Sequence, residues 1–149
     1  MNIGSHSRYP ASALSNFAPH PFVVDGIECA SMEGFLQSLK FRSPDMQVEV
    51  CKLVGKKAKL RGRQKKWWRN QRLYWKGKEY RRDSKEYQEL LTRAYDALFE
   101  NEGFRNALRA TQNAVLTHSL GCNDSHKTVL TEREFVSQLN RLRNRLRSD

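Results

Sequence analysis

Residues 31–41 read SMEGFLQSLKF and leave little freedom in how this stretch folds. Met32, Phe35, Leu36 and Leu39 recur at i, i+3, i+4 and i+7, the spacing of one buried helix face. Ser31 stands where a helix needs an N-cap. One residue along from the apolar stripe runs a polar line, Glu33, Gln37 and Lys40, at i, i+4 and i+7. A carboxyl and an ammonium at the edge of a core sit where burial and neighbouring charge can tune ionisation. The same spacing is also the ordinary solvated face of an amphipathic helix, so the pattern alone leaves both readings open.

The flanking sequence frames this helix. Phe22-Val23-Val24, Asp25-Gly26 and Ile27-Glu28-Cys29 form a two-residue hairpin signal, because Asp-Gly supplies the positive φ angles of a type I′ turn. Ser43-Pro44 predicts a second helix with Pro at its first position and a stripe of Met46, Val50 and Val54. Asp83 with Glu86 predicts a capping box for a helix that buries Tyr87, Leu90, Leu91, Ala94 and Leu98. A short helix with Phe104, Ala107 and Leu108 follows, then loop from 116 to 127. Thr131 and Glu134 box the start of a last helix, whose buried stripe is Phe135, Leu139, Leu142 and Leu146. Residues 1–12 read as a frayed lead-in or a first strand. The expected fold class is α+β, mostly helical, with a small antiparallel sheet in one domain over 1–149.

Charge narrows the partners. The chain of 149 residues holds 27 Lys+Arg against 16 Asp+Glu, a net +11 that attracts polyanions. Thirteen of the basic residues fall in segment 55–82 against one acid, Glu79, with Trp67, Trp68, Tyr74, Trp75 and Tyr80 interleaved. Aromatics among cations suit nucleotides, and Trp75 is the candidate to stack on a base. The plain alternative is that two of the three tryptophans are core, with Trp68 taking over if Trp75 is buried. Cys29, Cys51 and Cys122 have no CxxC spacing and read as reduced thiols, which places the protein in the cytoplasm. No long apolar run points to a membrane, and no spacing suits a zinc site.

Leu14-Ser15-Asn16-Phe17, the Asp-Gly hairpin, Ser31-Met32-Glu33 and Lys40-Phe41 follow one another at short distances. In order and spacing they resemble the NADAR family, also called YbiA-like. Gly62-Arg63 and Leu108-x-Ala110-Thr111 are similar to downstream motifs of that family. The resemblance is good over 14–63, fair to about 120 and poor beyond. The family's Trp-Gly element and Gly/Lys/Asn-rich run are replaced by segment 120–128, and its glycine after Thr111 by Gln112.

The resemblance implies an N-glycosidase that needs no cofactor. Its substrate would be a ribosyl-phosphate compound: ADP-ribose on guanine of nucleic acid, or a ribosylamino phosphate of the riboflavin pathway. Such a bond breaks through an oxocarbenium-like state, which needs proton handling and stabilisation of C1. Glu33 would be the acid/base or a ribose-hydroxyl ligand; its plainer role is a carboxylate favouring the helix start. Lys40 would be a nucleophile on C1 or a phosphate ligand; otherwise it is a helix-end surface lysine. Asn16 and Phe17 would meet the substrate edge, unless Asn16 only makes a turn and Phe17 only fills core. Arg63 and Lys59 are expected on phosphate. His118 and Asp124 would orient the sugar from the loop before the last helix. The rival of another class is a non-enzymatic nucleic-acid-binding protein that uses the same basic segment.

Overall fold

The Asp25-Gly26 turn has the backbone that its chemistry requires, with φ of 51° and 80°. It joins β1 (Phe22–Val24) to β2 (Ile27–Cys29), antiparallel with Phe22 opposite Cys29. The computed structural model describes residues 1–148. Helices α1 (Met32–Ser38), α2 (Pro44–Cys51) and α3 (Gly55–Arg63) follow. A second hairpin, β3 (Arg72–Trp75) with β4 (Lys78–Arg81), turns at Lys76-Gly77, again with both φ positive. The chain ends with α4 (Lys85–Leu98), α5 (Glu102–Ala110) and α6 (Glu132–Ser148). The architecture is α+β and mostly helical, as the periodicities predict, with two separate two-stranded sheets.

One core gathers these elements. Phe35, Leu36 and Leu39 from α1 and its exit meet Tyr87, Leu90, Leu91 and Tyr95 of α4 and Phe135, Leu139 and Leu142 of α6. The α4 and α6 stripes are therefore buried as the sequence predicts, except that Leu146 is only partly covered. The lead-in is pinned without forming a strand: Asn2 makes an isolated parallel bridge to Thr117, and the Ile3 N–H donates to the Thr117 carbonyl at 2.8 Å.

Three local details differ from the sequence expectation. Helix α1 stops at Ser38, and Lys40 lies in a tightened turn whose N–H donates to the Gln37 carbonyl (3.1 Å). Helix α2 buries Gln47, Val50 and Cys51, while Met46 and Val54 are exposed. The reason is Gln47, whose Nε2 donates to the carbonyls of Phe41 and Tyr74 at 2.9 and 2.7 Å and so turns that flank inward. Ser84 rather than Asp83 caps α4, accepting from the Tyr87 N–H at 3.1 Å, and Asp83 pairs with Arg81.

The box at the start of α6 forms as predicted, with Glu134 accepting from Thr131 N–H (2.7 Å) and Thr131 Oγ1 from Glu134 N–H (3.1 Å). Glu134 also takes the buried Arg82 guanidinium at 2.6 and 3.1 Å, tying β4 to α6.

Candidate active site

Ser31 sets the geometry of the site. Its Oγ accepts the Gly34 N–H (3.0 Å) and donates to the Leu53 carbonyl (2.9 Å), so the first turn of α1 is fixed to the end of α2. Glu33 then points from the second helical position into a cavity of about 610 Å³. The Glu33 N–H donates to the Asn16 carbonyl at 3.0 Å, which fastens the Leu14–Phe17 turn beside it. Asn16 is held from the other side, since Oδ1 accepts from the Tyr95 hydroxyl at 2.8 Å and the amide nitrogen remains for the cavity.

Glu33, Gln37 and Lys40 all line this cavity, so the polar line of the sequence is its floor rather than a solvated face. Lys59 and Arg63, one turn apart on α3, form a wall with Trp67 and Trp68. The C-terminal loop closes the other side with His118, Leu120 and Lys127. His118 Nδ1 is 2.8 Å from the Ile3 carbonyl, which can only accept, so Nδ1 carries a proton and Nε2 is the free ring nitrogen.

Charge in the cavity is one-sided. Glu33 is the one carboxylate among the described lining residues, against Lys40, Lys59, Arg63, Lys65 and Lys127. Burial pushes the Glu33 carboxyl up, opposed by the Gln37 hydrogen bond (3.3 Å) and by the charges of Lys40, Lys59 and His118. Burial also pulls the Lys40 ammonium down, with Lys59 adding to the effect and Glu33 opposing it. Gln37 turns its NH₂ to Glu33 and leaves its Oε1 buried against Gly62 with no hydrogen-bond partner. An orphaned acceptor costs about 1–3 kcal/mol, which is spent on holding the Glu33 carboxylate in place.

The arrangement pairs a carboxyl of raised pKa with an amine of lowered pKa in a cleft whose other charged side chains are cationic. Among the described residues no group of three or more His, Cys, Asp or Glu could hold a metal ion, and no helix is long and apolar enough to cross a membrane.

Residues 8–144 match the family described as bacteriophage protein GP30.3. The chain belongs to that family. A GP30.3-like relative, the uncharacterized 17.1 kDa protein of the Gp30–rIII intergenic region of Enterobacteria phage T4, is 41% identical over 149 residues and 98% of each chain. Among solved structures, the NMR structure of Escherichia coli YbiA aligns with a TM-score of 0.64 at 21% identity, over 99% of this chain and 84% of that one. The GP30.3 chain therefore has the YbiA fold, in line with the family resemblance of residues 14–63.

Two expected site residues lie elsewhere in this GP30.3 member. Trp75 is 2% exposed in the core, its indole N–H donating to Asp25 Oδ2 (2.8 Å) and its ring centred 4.9 Å from that of Phe35. Because Asp25 also holds Arg93 at 2.9 Å, Trp75 ties the two hairpins to α4 and cannot meet a ligand. Trp68, 50% exposed, lies on the cavity rim, and is the tryptophan that the sequence offers as a substitute when Trp75 is buried. Asp124 is exposed and outside the cavity; it orders its own loop by accepting the His126 N–H (3.0 Å). Lys65, Lys127 and His6 line the cavity without having been expected there. No local pattern marks Lys65 or Lys127 among so many basic residues, and His6 lies in the stretch read as frayed or as a strand.

The Glu33 environment gives a stability prediction. A carboxyl pushed up by burial binds its proton more tightly in the folded chain, so this contribution is full at low pH and is lost as pH rises through the native value. Glu33→Gln is expected to melt higher than wild type at about pH 8, with the gap closing as the pH falls towards about 4. Melting curves across that range check it; a gap that does not change with pH would contradict the burial of the charge.

Proposed function

We propose that the cavity is the site of an N-glycosidase acting on a phosphorylated ribosyl compound, with ADP-ribose carried on guanine of nucleic acid as the favoured substrate. What carries the reading is that Glu33 and Lys40 share the floor of a cavity whose remaining charges are all cationic. A volume of about 610 Å³ suits a nucleotide-sized ligand. Lys59, Arg63, Lys65 and Lys127 hold phosphates, Trp68 takes a base, and Asn16 with its free amide nitrogen reaches a sugar hydroxyl. Glu33 delivers a proton to the departing base nitrogen and afterwards takes one from water, while Lys40 meets C1 as the bond to the base breaks.

The non-enzymatic alternative draws on the whole segment 55–82. Its second half is occupied within the fold: Trp75 is core, Arg82 pairs with Glu134, and Arg72 lies 3.8 Å from Glu79. The decisive experiment incubates the protein with guanine-ADP-ribosylated single-stranded DNA and follows free ADP-ribose by mass spectrometry. Release supports the reading and its substrate together. Release only from small ribosylamino phosphates would keep the reaction and change the substrate, and release from neither would refute the enzyme.

A further inference from the structure

Basic residues are treated differently in two parts of this fold. In and just after the hairpin β3–β4 and in α4 and α6 several of them sit against acids, Arg72 on Glu79, Arg82 on Glu134, Arg93 on Asp25 and Arg141 on Asp96, while Arg143 and Arg147 bond to oxygens of residues 111–114. From 56 to 69 no basic residue has a carboxylate within 4.0 Å among the described residues, and the sequence holds no acid between Gly55 and Lys78. Like charges this close repel one another and weaken α3, whose only buried residues are Ala58 and Gly62. A surface of that kind is stabilised when a polyanion covers it.

The arrangement has a direction. Lys56, Lys59 and Arg63, at i, i+3 and i+7, share one flank of α3, and the last two form the cavity wall. Trp68 follows on the rim, half exposed, with the Arg69 guanidinium 5.6 Å from its ring. Its neighbour Trp67 is buried, so the fold had apolar cover to offer and left Trp68 without it. Leu120, 77% exposed, stands on the rim from the C-terminal loop.

We infer that the Lys56–Lys59–Arg63 flank and Trp68 form a track for single-stranded nucleic acid leading out of the cavity, with phosphates along the flank and an unpaired base stacked on the indole. A duplex keeps its base faces stacked inside and could use only the cations; the exposed ring therefore selects a single strand. The inference rests on the glycosidase reading only for what lies at the inner end of the track; strand binding stands without it.

Fluorescence anisotropy with an unmodified, fluorescein-labelled oligothymidine of about 15 nucleotides tests the track, against a duplex of the same length. The strand is expected to bind more tightly than the duplex, with a log–log salt slope of about −2 for three phosphates. Trp68→Ala should weaken the strand about tenfold and the duplex little, with Trp68→Phe recovering most of the loss. Lys56→Glu should weaken both. Each of these side chains is exposed, and unchanged melting curves verify that the variants fold. Equal binding of strand and duplex, indifference to Trp68→Ala, or tighter binding to phosphatidylserine vesicles than to the strand would each overturn the track. If the strand binds through Trp68 but no ADP-ribose is ever released, the glycosidase reading fails and the track remains.

Discussion

Replacing Lys40 by alanine is expected to lower ADP-ribose release by at least about 10³-fold while leaving the fold intact. An amine attacks carbon only when it is neutral, and burial together with Lys59 moves Lys40 in that direction. Its lone pair would form the bond to C1 as the C1–base bond breaks and the base nitrogen, protonated by Glu33, leaves with that pair; the ring C1–O4′ bond then opens, its oxygen taking up the proton that the Lys40 nitrogen gives up, to leave an imine that water hydrolyses. Borohydride added during turnover should reduce this imine to a stable secondary amine, seen as an adduct on Lys40 by mass spectrometry. Lys40→Arg separates the two roles open to this residue. A guanidinium stays charged at any working pH, so it could hold a phosphate but could not attack. Lys40→Arg is therefore expected to bind substrate and release nothing. An active Lys40→Arg enzyme without an adduct would reduce Lys40 to a phosphate ligand. Stability provides an independent check on the environment. An ammonium pulled down by burial is charged at a cost near neutral pH, and that cost fades as pH rises through its native value. Lys40→Ala should thus melt no lower than wild type at pH 7, less the small loss of packed methylenes.

The second large effect concerns the backbone beneath the site. A Cβ on Gly34 would lie 2.6 Å from the Leu53 carbonyl oxygen, 3.1 Å from that of Val50 and 3.2 Å from that of Cys51. These are main-chain atoms at the end of α2, and one of them already accepts the Ser31 hydroxyl. None can move without parting α1 from α2. Gly34→Ala is expected to cost about 3 kcal/mol or more and to lower the melting temperature by about 10 °C. Activity should fall further than stability, because Glu33 is the preceding residue on the displaced turn. Melting within about 2 °C of wild type would mean that the two helices are not held this closely. Gly62→Ala makes a useful contrast, since its Cβ meets the movable end of Gln37. Its damage should fall on the Glu33–Gln37 contact before it reaches global stability.

Much of this was readable along the chain because the deciding interactions are local. A type I′ turn needs positive φ at two adjacent residues, and Asp25-Gly26 offers it. The caps at Ser31 and at Thr131 with Glu134 close over three residues. The line Glu33, Gln37, Lys40 is a property of one helix and its exit turn, so it survives in the structure although the helix ends two residues before Lys40. The Lys76-Gly77 hairpin was less legible, because lysine seldom takes the first position of such a turn.

The sequence by itself determined helices α1, α2, α4, α5 and α6, the first hairpin and which face of α4 and α6 is apolar, since periodicity and capping act within a few residues; α3, with only Ala58 and Gly62 buried, carries no apolar stripe to announce it. Only the tertiary structure decided which tryptophan is core and which is free. Trp75 and Trp68 stand in similar basic surroundings in the sequence, but an aspartate from the other hairpin claims the first, while the second stays half exposed. It also decided which cations face the cavity, bringing Lys127 and His118 from the end of the chain to Lys40 and Arg63 while leaving Asp124 outside. Burial and charge neighbourhood belong to surfaces that meet across the fold, and no local pattern carries that information.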